Sequence, residues 1–233
     1  MINQLKVEFY KFLRSPFFWI AMIFMSAVGI YNGYKWDIQA HITEIMTPFE
    51  EAVPDLSFAF MLSLFASWFI GGCFGNRTIH HEITSGSSRL SVILSRFFPV
   101  VLSGVAMQGT YVVATVLTLG CRIGFDTFRP GTEEMLWIGT VLLQMIALEC
   151  FFLFVNFLCC NLYTGLIVST IAAFTCINVF RNIFRTAKWY QVSFFHFAES
   201  MDHGILLTSS VVAILSIAIL TVFTYLVFRK REI

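Results

Sequence analysis

Residues 75–99 read GNRTIHHEITSGSSRLSVILSRFFP. Before them stands FMLSLFASWFIGGCF (60–74) and after them VVLSGVAMQGTYVVATVLTLG (100–120). Each wall approaches the ~20 apolar residues that a helix needs to cross a bilayer. A polar insert between two such walls makes a membrane hairpin, with the insert in water at one surface. The rest of the chain repeats the theme. Of 233 residues, 58% are hydrophobic and only 12% are charged, against the ~25% charge of soluble domains. That leaves too little polar surface to coat a water-soluble globule, and the fold class follows: an all-α integral membrane protein.

Six transmembrane helices are predicted, at roughly 17–34, 56–75, 97–120, 135–158, 162–180 and 205–228, forming a single transmembrane domain over 1–233. Each crosses a ~30 Å hydrocarbon core at ~1.5 Å per residue. Ahead of them, INQLKVEFYKFLRSPFF (2–18) predicts an N-terminal amphipathic helix lying in the interface. Ile2, Leu5, Phe9, Phe12 and Leu13 make its apolar face; Lys6, Glu8, Lys11 and Arg14 lie elsewhere. Pro16 ends it. No small-residue cleavage site follows the first apolar run, so that span is expected to be retained.

Lys and Arg set the orientation. With both termini cytoplasmic, the inner segments hold nine bases (Lys6, Lys11, Arg14, Arg77, Arg89, Arg96, Arg229, Lys230, Arg231) and three acids (Glu8, Glu82, Glu232). The outer loops then hold six bases and ten acids. The basic trio at 181–188 runs against this assignment.

Several chemistries lack their motifs. There is no GxxxxGK[ST] phosphate loop, no HExxH and no GxSxG. The six cysteines (Cys73, Cys121, Cys150, Cys159, Cys160, Cys176) lie in or beside apolar runs and read as buried thiols. His80 and His81 invite a metal, but neighbours on a helix point ~100° apart and do not face one ion together. No enzyme activity is expected.

Within 75–99, NRTIHHEITSG predicts a short helix with Asn76 as N-cap and Gly86 as a left-handed stop. Ile79 and Ile83, at i and i+4, form a two-isoleucine ridge. Ser87 or Ser88 caps a second helix running into the third span. Two readings stand level on this physics: a docking knob whose ridge seats in a partner's groove, and an ordinary interfacial loop.

The order T-I-x-x-E-I-x-S-G-x-S-R-x-x-x-x-L-S-R over 78–96, with E-x-x-K-x-x-R-S-P at 8–16 and F-R-K-R-E at 228–232, resembles type-2 ABC exporter permeases. It is most similar to the small permease subunits of bacterial lantibiotic and bacteriocin self-immunity exporters, and in layout the resemblance covers the whole chain. It implies a cytoplasmic coupling helix between spans 2 and 3, with Thr78, Ile79, Glu82, Ile83, Ser85, Gly86, Ser88 and Arg89 as contact and turn residues against an ABC ATPase subunit. Such a subunit, in two copies, binds ATP and Mg; this chain itself carries no cofactor. A second permease subunit, identical or homologous, completes the assembly. An amphipathic peptide substrate, membrane lipid and the bacterial plasma membrane follow as expectations; nucleic acid does not. One departure touches the cap: the family often has Gly where Arg77 stands.

Three further sites are open to two readings each. Glu149 lies inside the fourth span, with Gln144 and Asn156, as lining for a translocation path or as packing. Arg181, Arg185 and Lys188 share a helix face, as an outer gate or an interfacial anchor. The acidic stretch at 35–55 attracts a cationic peptide, or simply reflects acids gathering outside. Gly29/Gly33 and Gly71/Gly75 have the small-xxx-small spacing that permits close helix approach. Lipid-facing phenylalanine is the simpler reading of the 27 present. Two other classes compete with the exporter: a non-transporting scaffold or sensor subunit, and a membrane enzyme of unknown type.

Overall fold

The computed structural model describes residues 2–35, 56–124, 132–184, 187–196 and 203–230, and every regular element among them is helical. In chain order these are α1 (Ile2–Leu13), α2 (Pro16–Lys35), α3 (Leu56–Ala66, continued by a π turn at Ser67–Gly71 and by Gly72–Gly75), and α4 (Thr78–Thr84). Next come α5 (Arg89–Ile123), α6 (Thr132–Cys159) and α7 (Leu162–Phe174, continued by a π turn at Thr175–Val179 and by Phe180–Phe184). The short α8 (Lys188–Gln191) and the long α9 (His203–Lys230) complete the series. Among the described residues, five helices are long and apolar enough to cross a membrane: Pro16–Lys35, Phe58–Gly75, Arg89–Arg122, Met135–Cys159 and His203–Lys230. The straight α-helical part of α7 is shorter, at 13 residues. The acidic stretch at 36–55 lies outside the described residues.

The α1–α2 break forms where expected. Ser15 Oγ accepts the Phe18 N–H at 3.3 Å, and Trp19 Nε1 donates to the Leu13 carbonyl at 2.9 Å, so the corner at Pro16 keeps its backbone groups paired. The apolar face of α1 differs from expectation. Phe12 is buried, but Leu13 is exposed and Glu8 is buried beside Phe12. Glu8 faces the bundle, where Arg96 of α5 stands 3.9 Å from its Oε1.

α2 packs along α5 at close range. A Cβ at Gly29 would lie 2.6 Å from the Tyr111 carbonyl oxygen, and one at Gly33 would lie 2.9 Å from Thr118 Cβ. This glycine pair therefore serves packing within the chain. Gly71 likewise sits against the Leu162 backbone, whereas Gly75 faces open space. At the far end of the pair, Arg122 Nη1 donates to the Gly33 and Tyr34 carbonyls at 2.9 and 2.7 Å.

Phenylalanine fills the core as well as coating it. Phe12 and Phe18 have centroids 4.4 Å apart, Phe65 and Phe69 stack at 5.8 Å, and Phe157 meets Phe228 at 5.1 Å. All six are buried. Of the cysteines, only Cys73 and Cys150 are buried; Cys121 is exposed, and the other three are intermediate. Thiols on the outside of a helix bundle meet lipid as readily as protein, which is why an apolar flank did not distinguish the two.

Candidate functional site

α4 sits at the end of the bundle that also carries α1 and the last turn of α9. Its start is not the Asn76 cap. Asn76 closes α3, and Arg77 holds the N-cap position at φ 53°, ψ 18°, with no side-chain cap. That is the left-handed region, which glycine occupies at least cost. The end of α4 matches its reading. Gly86 has φ 92°, its N–H bonds to the Ile83 carbonyl at 3.0 Å, and the Ser87 N–H reaches the Glu82 carbonyl at 3.0 Å. This is a Schellman ending, which satisfies carbonyls the helix would otherwise orphan. Ser88, rather than Ser87, caps α5: its Oγ accepts the Ser91 N–H at 3.2 Å.

The isoleucine ridge points inward. Ile79 is 1% exposed within the hydrophobic core, and Ile83 packs against that core. The expected outward ridge is therefore corrected: these side chains seat α4 on its own chain. His80, His81, Thr84, Ser85 and Gly86 face out, and Thr78 is half-buried. The two imidazole centroids stand 6.2 Å apart, and no group of three metal-ligating side chains converges among the described residues.

Glu82 is also turned inward, and its partner is the central finding. Arg96 is fully buried, and its guanidinium grips Glu82 with both ends: Nη1 to Oε2 at 2.9 Å and Nη2 to Oε1 at 2.8 Å. The fork also donates to the Val92 carbonyl at 3.0 Å and Ser95 Oγ at 3.2 Å. Behind it lies Glu8 of α1, with Oε1 3.9 Å from Arg96 Nη2 and 2.8 Å from Lys11 Nζ. Two acids and two bases thus meet where three helices converge. Arg96 is fully buried within α5, so it needs an anion; bidentate pairing to a carboxylate is the strong way to supply one.

Further ties fasten the same junction. Gln4 bridges α1 to the α5 cap region, donating to Ser87 Oγ at 2.5 Å and accepting from Ser91 Oγ at 2.6 Å. Arg89 donates to the last carbonyls of α9, Phe228 at 2.8 Å and Arg229. Arg89 is thus spent on the chain's own C-terminal helix. A cation at a helix C-terminus also complements the dipole there.

The trio in the fourth span does not form one path. Gln144 Nε2 donates to the His196 carbonyl at 3.0 Å, beyond the end of α8. Glu149 presses its carboxylate against the Gly104 backbone in α5, beside Leu62, and neither oxygen has a hydrogen-bond partner among the described residues. Asn156 donates to Ser169 Oγ of α7 at 3.1 Å, with its Oδ1 held over Gly165. All three are buried, and each serves a different neighbour. The outer trio is divided as well. Ala187 is extended at φ −78°, ψ 120°, and Lys188 begins the separate α8, so no single helix carries Arg181 and Lys188 on one face. Arg185 lies outside the described residues. Lys188 is exposed.

The junction at α4 ties three helices together. What it offers is a mechanical joint: a short helix gripped from inside by ionic, apolar and capping contacts, with a small polar face left outward. Comparison with protein-family models, with curated proteins and with solved structures finds no match.

Proposed function

We propose that the chain is the permease subunit of an ATP-driven exporter and that α4 is its coupling helix. The observation that carries the reading is the grip of Arg96 on Glu82, which makes α4 rigid with α5 rather than a free loop. A segment that passes motion from an ATPase to a membrane span needs that stiffness. α7 then counts as the sixth crossing, since its helical backbone continues through the π turn to Phe184. The end rich in Lys and Arg is cytoplasmic. Two such permeases, identical or homologous, pair with two ATPase subunits that bind ATP and Mg. ATP-driven closure pushes α4, and the spans rock between inward and outward openings. The cargo is an amphipathic peptide such as a bacteriocin or lantibiotic, expelled across a bacterial plasma membrane.

On this reading the docking surface is the exposed face, His80, His81 and Thr84, and the buried residues Ile79, Glu82 and Ile83 transmit. The test is co-expression with candidate ATP-binding-cassette subunits, followed by pull-down and ATP hydrolysis in nanodiscs. His80→Asp with His81→Asp is expected to break association while leaving the permease folded. Arg96→Met is expected to leave association largely intact and to uncouple hydrolysis from transport. Full association and full stimulation by both variants would remove the basis for the reading.

A further inference from the structure

Beside the Glu8–Arg96–Glu82 junction lies a cavity of about 390 Å³. It opens between α1, the π turn of α3, the start of α4 and the start of α7. Glu8, Lys11, Trp68, Asn76, Thr78 and Leu162 line it. The π turn at Ser67–Gly71 widens this part of α3, and such bulges recur at functional sites. Three features define what fits. Glu8 is 1% exposed, and its Oε2 has no hydrogen-bond partner; a buried carboxylate oxygen without a donor is costly. Lys11, which holds the other oxygen at 2.8 Å, has a side chain nearly half exposed and lines the cavity. The wall toward the spans is apolar, with Trp68 stacked on Phe17 at 5.6 Å.

We propose that this cavity binds the headgroup of a phospholipid carrying a primary ammonium, phosphatidylethanolamine, in the leaflet at the basic end of the bundle. A simple anion would meet Glu8, and a simple cation would meet Lys11. A zwitterion answers both, placing its phosphate near Lys11, Asn76 and Thr78 and its ammonium against the Glu8 carboxylate that lines the cavity. The vacant oxygen needs an N–H donor, which ethanolamine has and choline lacks. The position suits a lipid: α1 is an amphipathic helix of the kind that lies in the interface, and tryptophan is enriched at that depth. Acyl chains then run along Trp68 and Leu162. The bound lipid completes the underside of the junction that holds α4, and the proposal stands independently of any ATPase.

The probe is short-chain phosphatidylethanolamine, titrated against the full chain purified and delipidated in detergent and read by native mass spectrometry. Phosphatidylethanolamine is expected to bind roughly tenfold tighter than the phosphatidylcholine of the same chain length, the worth of one charge-assisted hydrogen bond. Glu8→Gln is expected to bring the two lipids to parity. Lys11→Met, at a more exposed position, is expected to weaken both and keeps the test decisive if Glu8→Gln fails to fold. Equal binding of the two lipids by the unaltered chain overturns the proposal. So does phosphatidylglycerol binding as well as phosphatidylethanolamine, since it has no ammonium. Free phosphoethanolamine binding as tightly as the lipid overturns the lipid source and assigns the cavity to a soluble amine phosphate.

Discussion

Arg96→Met removes the one cation that three helices share, and its cost is calculable in parts. The side chain is fully buried, so methionine replaces its volume without exposing new surface. What is lost is charge. Among the described residues, Glu8, with 2% of its side chain exposed, then keeps Lys11, and Glu82, with 19% exposed, keeps no cation within salt-bridge distance. Removing one partner of a buried pair costs about 3–5 kcal/mol, mostly through the charge left behind. Glu82→Gln should cost less, about 1.5–3 kcal/mol, because Arg96 retains Glu8 at 3.9 Å, the Val92 carbonyl and Ser95 Oγ. The double variant should cost less than the sum, by a coupling of about 1–3 kcal/mol. The assay is reversible unfolding in mixed micelles for all four proteins of the cycle, with proteolysis at Arg77 and Arg89 as a local report on α4. An Arg96→Met cost below about 1 kcal/mol, or a coupling indistinguishable from zero, would refute the claim that this pair anchors α4.

Two further substitutions test other joints. Gly29→Val places a branched side chain where even a Cβ stands 2.6 Å from the Tyr111 carbonyl oxygen, so α2 must move off α5; a loss of about 1–3 kcal/mol or more is expected in the same unfolding assay, and a neutral result would mean the two helices are not packed this closely. Arg77→Gly relieves a left-handed backbone at φ 53° and should stabilise by about 1 kcal/mol; a clear loss of stability would show that the Arg77 side chain, not the backbone, matters there.

The apolar runs were legible because each is long and uninterrupted, and α2, α3, α6 and α9 fall within a few residues of them, while α5 starts at Arg89, eight residues ahead of the predicted third span. The stop at Gly86 was legible too, and the cap of α5 was narrowed to Ser87 or Ser88, of which the structure uses Ser88. Direction was not. The spacing of Ile79 and Ile83 defines a ridge but not which way it turns, and the answer depended on α3 and α5 offering an apolar seat. Glu8 looked like part of a polar face because its partner lies 88 positions away. A signal did exist: Arg96 stands in VILSRFFPVV, and a lone cation in so apolar a run must find an anion. The π turns had no local signature at all. Gln144, Glu149 and Asn156 shared a span in sequence, yet steps of five and seven residues aim them at α5, α7 and the segment after α8.

The ties group the helices in a way that bears on how the chain would move as a permease. α1, α4 and α5 are joined through Gln4 and through the Glu8–Arg96–Glu82 cluster. α5 runs 35 residues, about 52 Å at ~1.5 Å per residue, and at its far end Arg122 holds the last carbonyls of α2. On the exporter reading, a push on α4 would travel along α5 and take α2 with it. α6 is tied elsewhere, to α9 through Thr140 and Ser210 at 2.9 Å and to α7 through Asn156 and Ser169. Where α5 meets α6, Gly104 makes room for the carboxylate of Glu149, which a Cβ at that position would strike. Buried groups that are fully paired resist separation, because parting them strands their partners. As a permease, the α2–α5 unit would move against α6 while staying joined to the end of α9 through Arg89.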